Sequence, residues 1–136
     1  MLSLETIGYY SDEPGSQHLL FPLNLIYPSI GNFIAFVSNV ENGFLLRQLV
    51  GSFRQQAQFP SEGAALWDVI PGVGWSDHWA FWKEGFPAAM VTDTAPFRYP
   101  AYHSHADRPE LVQYERMARV VSGLQAVIAE MANAAK

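Results

Sequence analysis

An α/β domain is the fold class this sequence predicts, and two observations predict it. Two nearly continuous apolar runs of strand length, Phe33-Ile34-Ala35-Phe36-Val37 and Pro87-Ala88-Ala89-Met90-Val91-Thr92, read as strands covered on both faces. Two longer segments, 42–57 and 109–132, repeat their apolar residues at helical spacing. With the shorter elements added, the order is strand, strand, helix, strand, helix, strand, helix, and no internal repeat or linker divides it. At 136 residues, the chain suits a single domain with a real core, spanning 1–136.

The first element opens on an alternation of Leu2, Leu4 and Thr6 with Ser3, Glu5 and Ile7, then passes into Gly8-Tyr9-Tyr10. That is the pattern of a strand entering a loop, with Glu5 near the strand's C-terminal end. From Ser11 to Asn32, Pro14, Gly15, Pro22, Pro28 and Gly31 predict a long irregular excursion of the kind that usually carries function. The strand at 33–37 ends at Ser38-Asn39. In 42–57, Phe44, Leu45, Leu49, Val50 and Phe53 form one face, and Arg47, Gln48, Arg54 and Gln55 the other.

A short strand is predicted at Leu66–Ile70, stopped by Pro71-Gly72. Ser76 or Asp77 is placed to cap a helix from His78 to Glu84, and Gly85 falls in the position that follows a helix end. After the strand at 87–92, a loop rich in aromatic and ionisable groups runs from Asp93 to Asp107. The last helix, about Pro109 to Ala132, carries Leu111, Tyr114, Met117, Ala118, Val121, Leu124, Val127, Ile128 and Met131 as a stripe that packs on the sheet.

Hydrophobic residues make up 49% and charged residues 15%, which excludes a disordered chain. Eight Lys and Arg stand against 13 Asp and Glu, giving a net charge of −5 with no basic cluster, so nucleic acid is not an expected partner. No cysteine is present, so any metal must be held by His and carboxylate. No apolar run approaches the roughly 20 residues of a membrane span, and Met1-Leu2-Ser3-Leu4-Glu5 lacks the features of a signal peptide. Neither a membrane association nor a cellular address is therefore expected from the sequence. Leu2, Leu4 and Ile7 look like the middle of a strand, and their abrupt start predicts a missing upstream segment.

Ionisable residues gather in three places: Glu5 at a strand end, Ser76-Asp77-His78 at a helix start, and Tyr102-His103-Ser104-His105-Ala106-Asp107 in the last long loop. Strand ends on one edge of an α/β sheet commonly form the ligand crevice. Taken alone, Glu5 also suits an ordinary loop or edge carboxylate, Asp77 a helix cap, His103 and His105 one hydrogen-bonded loop histidine and one solvated one, and His18 a surface histidine.

Five ordered blocks carry a more specific likeness: Leu4-Glu5-Thr6-Ile7-Gly8-Tyr9-Tyr10 with Pro14-Gly15-Ser16-Gln17, Ser76-Asp77-His78-Trp79-Ala80-Phe81-Trp82, Gly85-Phe86-Pro87-Ala88, Thr92-Asp93-Thr94, and Tyr102-His103-Ser104 with Asp107. In order and spacing they resemble the C-terminal half of the co-catalytic dizinc aminopeptidases, whose fold glutaminyl cyclases share. The resemblance covers almost the whole chain. It implies that 1–136 is the C-terminal portion of one zinc-peptidase catalytic domain, part of a three-layer α/β/α fold with a mixed central sheet. That family holds two zinc ions with five side chains, and Glu5 and His103 match the fourth and fifth. The two normally bind different zincs.

By the same resemblance, Tyr102 matches a tyrosine that hydrogen-bonds the oxyanion of the tetrahedral intermediate, and Asp77 an aspartate that supports the site from outside the ligand set. The Phe97-Arg98-Tyr99 loop would line the substrate mouth. The implied reaction removes the N-terminal residue of a peptide, with two zincs polarising the scissile carbonyl and activating water. Ser104 and Arg108 stand where the family often has Thr.

Nothing upstream of Glu5 supplies the remaining His, bridging Asp and Glu ligands or the general-base Glu. The isolated chain is therefore expected to bind no metal pair and to be inactive. An uncovered sheet edge predicts a homodimer or a complex with a separate N-terminal half. Two other readings stand beside the peptidase: a folded assembly module without a reaction, and a glutaminyl cyclase-like acyltransferase. Cyclases typically carry Trp before the final His, where this chain has Tyr102.

Overall fold

A computed structural model describes residues 1–134, and the last two residues of the predicted domain, 135 and 136, lie outside the described residues. Four strands, β1 (Leu2–Leu4), β2 (Ile34–Asn39), β3 (Ser61–Leu66) and β4 (Ala89–Thr92), form one sheet in the order β1-β4-β2-β3. The sheet is mixed: β1 runs parallel to β4, β2 parallel to β3, and β2 antiparallel to β4. Helices α1 (Gly43–Gln56), α2 (His78–Lys83) and α3 (Tyr114–Ala134) complete a mixed α/β domain.

Alternation along the strands sends successive side chains to opposite faces of the sheet. Ile34, Phe36, Ala89 and Val91 point to one face, where Leu46, Leu49 and Phe53 of α1 and Val120, Leu124 and Val127 of α3 bury them. Phe33, Ala35, Val37 and Met90 lie on the other face, packed with Val73, Ile70 and Trp82 of α2. β2 is thus covered on both sides, as its unbroken apolar run predicts.

The α1–α3 contact depends on one small residue. A Cβ at Gly123 would lie 2.5 Å from the Ala57 Cβ and 2.7 Å from Phe53 Cε2, so the glycine is what lets α3 close on α1. Overpacking a rigid contact costs about 1–3 kcal/mol. We expect Gly123→Ala to lower the unfolding free energy by that amount, read as a lower urea midpoint, despite the better helix propensity of alanine. An unchanged or raised midpoint would contradict the packing described.

Three boundaries differ from the sequence-based expectation. The third strand lies at Ser61–Leu66, not Leu66–Ile70: its small residues are demanded by α1, since a Cβ at Gly63 would meet Val50 Cγ2 at 2.9 Å. Bulky Trp67 and Val69 instead sit exposed in a turn closed by Ile70 N–H donating to the Trp67 carbonyl at 3.0 Å. The last helix begins at Tyr114, because Pro109–Leu111 forms a separate 3-10 turn and Val112 is extended. The first strand stops at Leu4, one residue before Glu5, and Thr6 then takes φ 50. Gly85 follows α2 at φ 76, the left-handed conformation predicted there.

Candidate functional site

Parallel pairing of β1 and β4 brings their C-terminal ends to the same rim of the sheet, so Glu5 and Asp93 leave the sheet side by side. Glu5 N–H donates to the Val91 carbonyl and Asp93 N–H to the Thr6 carbonyl, at 3.0 and 2.9 Å. Asp93 is buried and gathers three donors: the Thr6 hydroxyl at 2.6 Å and the Gly8 and Tyr9 amides at 2.8 Å each. Burial pushes this carboxyl up, while the three donors and the nearby Arg98 guanidinium pull it down. The turn that carries Glu5 is therefore fixed from behind by Asp93. That role was not assigned from sequence, although Thr92-Asp93-Thr94 stood among the resembling blocks.

Glu5 itself is half-buried, and its carboxylate accepts from the Ser76 hydroxyl at 3.1 Å. Ser76 in turn lies 2.5 Å from the Ser3 hydroxyl on β1. Ser76 therefore orients Glu5 and does not cap α2. Asp77 does not cap it either, because its backbone is already helical and its side chain makes no capping bond. Asp77 is exposed and its side chain forms no hydrogen bond among the described residues, so the neighbour that meets Glu5 here is Ser76.

The second face of the sheet holds an apolar cavity of about 110 Å³. Ala35, Val37 and Met90 form its floor, Leu20, Leu23 and Phe97 part of its wall, and Glu5 and Tyr102 contribute polar groups. Gly72 closes one side at φ 94, where a Cβ would press on the Phe97 ring at 3.1 Å. Burial and the charge of Glu5 hold the Tyr102 hydroxyl above its ordinary pKa, so it remains a donor at neutral pH. His103 follows at φ 52 and stacks its ring on that of Tyr102, with centroids 3.9 Å apart and planes 16° from parallel. The structure thus joins Glu5, Tyr102 and Phe97 in one cavity, with His103 exposed behind Tyr102 rather than on the cavity wall.

Arg98 departs from its expected place at the mouth. Only 5% exposed and absent from the cavity wall, it donates to Gln17 Oε1 at 2.8 Å and to the Phe33 carbonyl at 2.9 Å. Its guanidinium lies over the Phe33 ring at 4.6 Å. Gly31 admits it, since a Cβ there would fall 2.7 Å from Arg98 Nε. Arg98 is a structural cation that ties the excursion to the sheet. His105 and His18 are exposed, in keeping with surface roles.

Buried His78 holds the Val73 carbonyl at 2.7 Å and meets Trp82 edge-on. Burial lowers its pKa from the ordinary 6.5, outweighing the Val73 carbonyl and the charges of Asp77 and Glu5. Since the unfolded imidazole takes up its proton at the higher pH, stability falls as pH drops through 6.5 toward the lower folded value. We expect His78→Phe to flatten this part of the stability–pH curve, read from urea midpoints on either side of pH 6.5. A slope unchanged by the substitution would refute the assignment.

No protein-family model matches the chain, and no solved structure matches it significantly. The chain is similar to the uncharacterized protein YfbL of Escherichia coli strain K12, with 36% identity over 125 residues, covering 91% of this chain and 39% of YfbL. It spans about two-fifths of the length of that relative.

Proposed function

We propose that this chain is the C-terminal part of a zinc-dependent aminopeptidase domain within a three-layer α/β/α fold, acting on the N-termini of peptides. The observation that carries the reading is the convergence of Glu5 and Tyr102 on one apolar cavity at the rim where β1 and β4 end, with His103 adjoining Tyr102. Among the described residues, no group of three or more His, Asp, Glu or Cys is arranged to hold a metal ion. A catalytic zinc takes three protein ligands, so the residues present do not form a zinc site by themselves. Glu5 and His103 are two members of a ligand set whose others come from an N-terminal half.

Within that assembly each residue of this chain has a definite task. Ser76 holds the Glu5 carboxylate in one orientation, which a ligand or amine-binding group requires. Tyr102, kept protonated, donates a hydrogen bond toward the oxygen that becomes negative as a peptide carbonyl is attacked. The apolar cavity takes an apolar side chain of the substrate.

Leucine-p-nitroanilide hydrolysis tests the reading. The chain alone is expected to be inactive, and the chain assembled with its N-terminal half is expected to turn over in a zinc-dependent way. An assembled, zinc-supplied protein without hydrolysis would overturn it and leave the assembly module. Glutamine cyclisation in place of hydrolysis would point to the acyltransferase.

A further inference from the structure

Between β3 and α2, residues 67–77 form no strand or helix, yet they wall the apolar cavity through Ile70, Gly72, Val73 and Trp75 and orient Glu5 through Ser76. Few bonds hold this segment. Ile70 N–H donates to the Trp67 carbonyl at 3.0 Å and Val73 N–H to the Ile70 carbonyl at 3.1 Å, both inside the segment itself. The surface pair of Lys83 and Asp68, at 3.4 Å, contributes little. The inner anchor is Val73, which is buried against Phe33, Ala35, Val37 and Met90. Its carbonyl is held at 2.7 Å by Nε2 of His78, the first residue of α2, so one buried ring ties that helix to the cavity wall.

A neutral imidazole has one N–H to donate and a charged one has two. With a carbonyl as the partner of Nε2, the neutral ring carries its hydrogen there. Nδ1 is then a bare lone pair, buried and without a hydrogen-bond partner among the described residues. The neutral ring tolerates this. Protonation would leave an N–H at Nδ1 with no acceptor and a positive charge out of reach of water, which is far more costly. The charges acting on the ring are Asp77, its neighbour in sequence, and Glu5, which Ser76 also meets. Both attract an imidazolium, but neither carboxylate bonds Nδ1, and Trp82, edge-on with its ring centroid 4.5 Å away, offers no acceptor oxygen.

We propose that residues 67–77 are a pH-sensitive wall of the cavity: when His78 takes up a proton from solvent, its ring leaves the buried site for water and the segment it holds opens. Opening dismantles the side of the cavity formed by Ile70, Gly72 and Val73 and parts Ser76 from Glu5. The transition is local, because β2 lies inside the sheet between β4 and β3 and is held from both sides. In the open form the ring regains its ordinary pKa of 6.5, which burial depresses in the closed form. Each pH unit below that value therefore favours opening by up to about tenfold, until the closed-form pKa is reached. The switch needs neither zinc nor an N-terminal half, so it stands or falls separately from the peptidase reading.

Amide hydrogen exchange of the full chain between about pH 7.5 and about pH 5.5, corrected for the intrinsic pH dependence of exchange, tests the proposal. The opening constants at the Ile70 and Val73 amides rise by about tenfold over this range. The Ile34 amide, bonded to the Pro60 carbonyl in the sheet, stays at least about tenfold better protected than either throughout. His78→Gln keeps a side-chain N–H for the Val73 carbonyl but does not titrate, so it removes the rise. The double variant His18→Gln, His105→Gln changes exposed histidines only and keeps it. Opening constants at Ile70 and Val73 that do not change with pH, a rise that survives His78→Gln, or protection of Ile34 no greater than theirs would each overturn the proposal. If His78→Gln does not fold, the ring nitrogen shifts of the unaltered chain decide: the closed form shows a neutral ring with its hydrogen on Nε2, and a ring that titrates near 6.5 with no gain in exchange at Ile70 and Val73 overturns the proposal equally.

Discussion

On the proposed reading, Glu5→Gln and His103→Ala in the chain assembled with an N-terminal half are each expected to lower kcat/KM for leucine-p-nitroanilide by roughly 100-fold or more, because each would remove a ligand from one of the two proposed metals. Tyr102→Phe behaves differently. It leaves KM nearly unchanged and lowers kcat by about 10²–10³, since the hydroxyl is engaged only as charge develops on the substrate oxygen. Ser76→Ala falls between, because Glu5 keeps its charge but loses the hydroxyl that orients it. If Asp77→Asn proved as damaging as Glu5→Gln, the assignment of the supporting role to Ser76 would be wrong. Equal activity in all of these variants would remove the rim from the reaction.

Arg98→Leu produces the largest loss of stability, about 3–5 kcal/mol, as expected when one member of a buried polar network is deleted. The guanidinium serves Gln17, the Phe33 carbonyl and, at 3.4 Å, the Tyr9 carbonyl, and faces the charge of Asp93. Burial depresses its pKa to about 10, with Asp93 opposing, so it stays charged at neutral pH and the cost of burying a cation persists below that value. Deletion strands acceptors that water cannot reach. Urea denaturation of Arg98→Leu, Asp93→Ala and the double variant measures the coupling, and we expect the double variant to lose less than the sum of the singles. Strict additivity would show that the two charges do not sense one another.

The elements legible in the sequence are those whose burial is complete or one-sided. β2 and β4 are apolar without interruption because both faces are covered, and α1 and α3 show a clear stripe because one face is. Gly85 was readable because a left-handed residue after a helix has few alternatives. β3 was hidden by its own small residues, which make room for Val50 of α1 and carry no strand signal of their own. Of the candidate residues, Glu5, Tyr102 and Phe97 meet at one cavity, which His103, Arg98 and Asp77 do not line. The roles of Ser76, Asp93 and Arg98 were not legible, because each acts on a residue more than 60 positions away in sequence or across the excursion.

Zinc-edge anomalous diffraction from crystals of the assembled domain tests the central claim most directly. The account predicts two zinc peaks at the rim beyond β1 and β4, one bound by Glu5 and the other by His103, beside Tyr102 at the cavity. Zinc bound elsewhere, or a fully assembled domain in which neither Glu5 nor His103 touches metal, would contradict it.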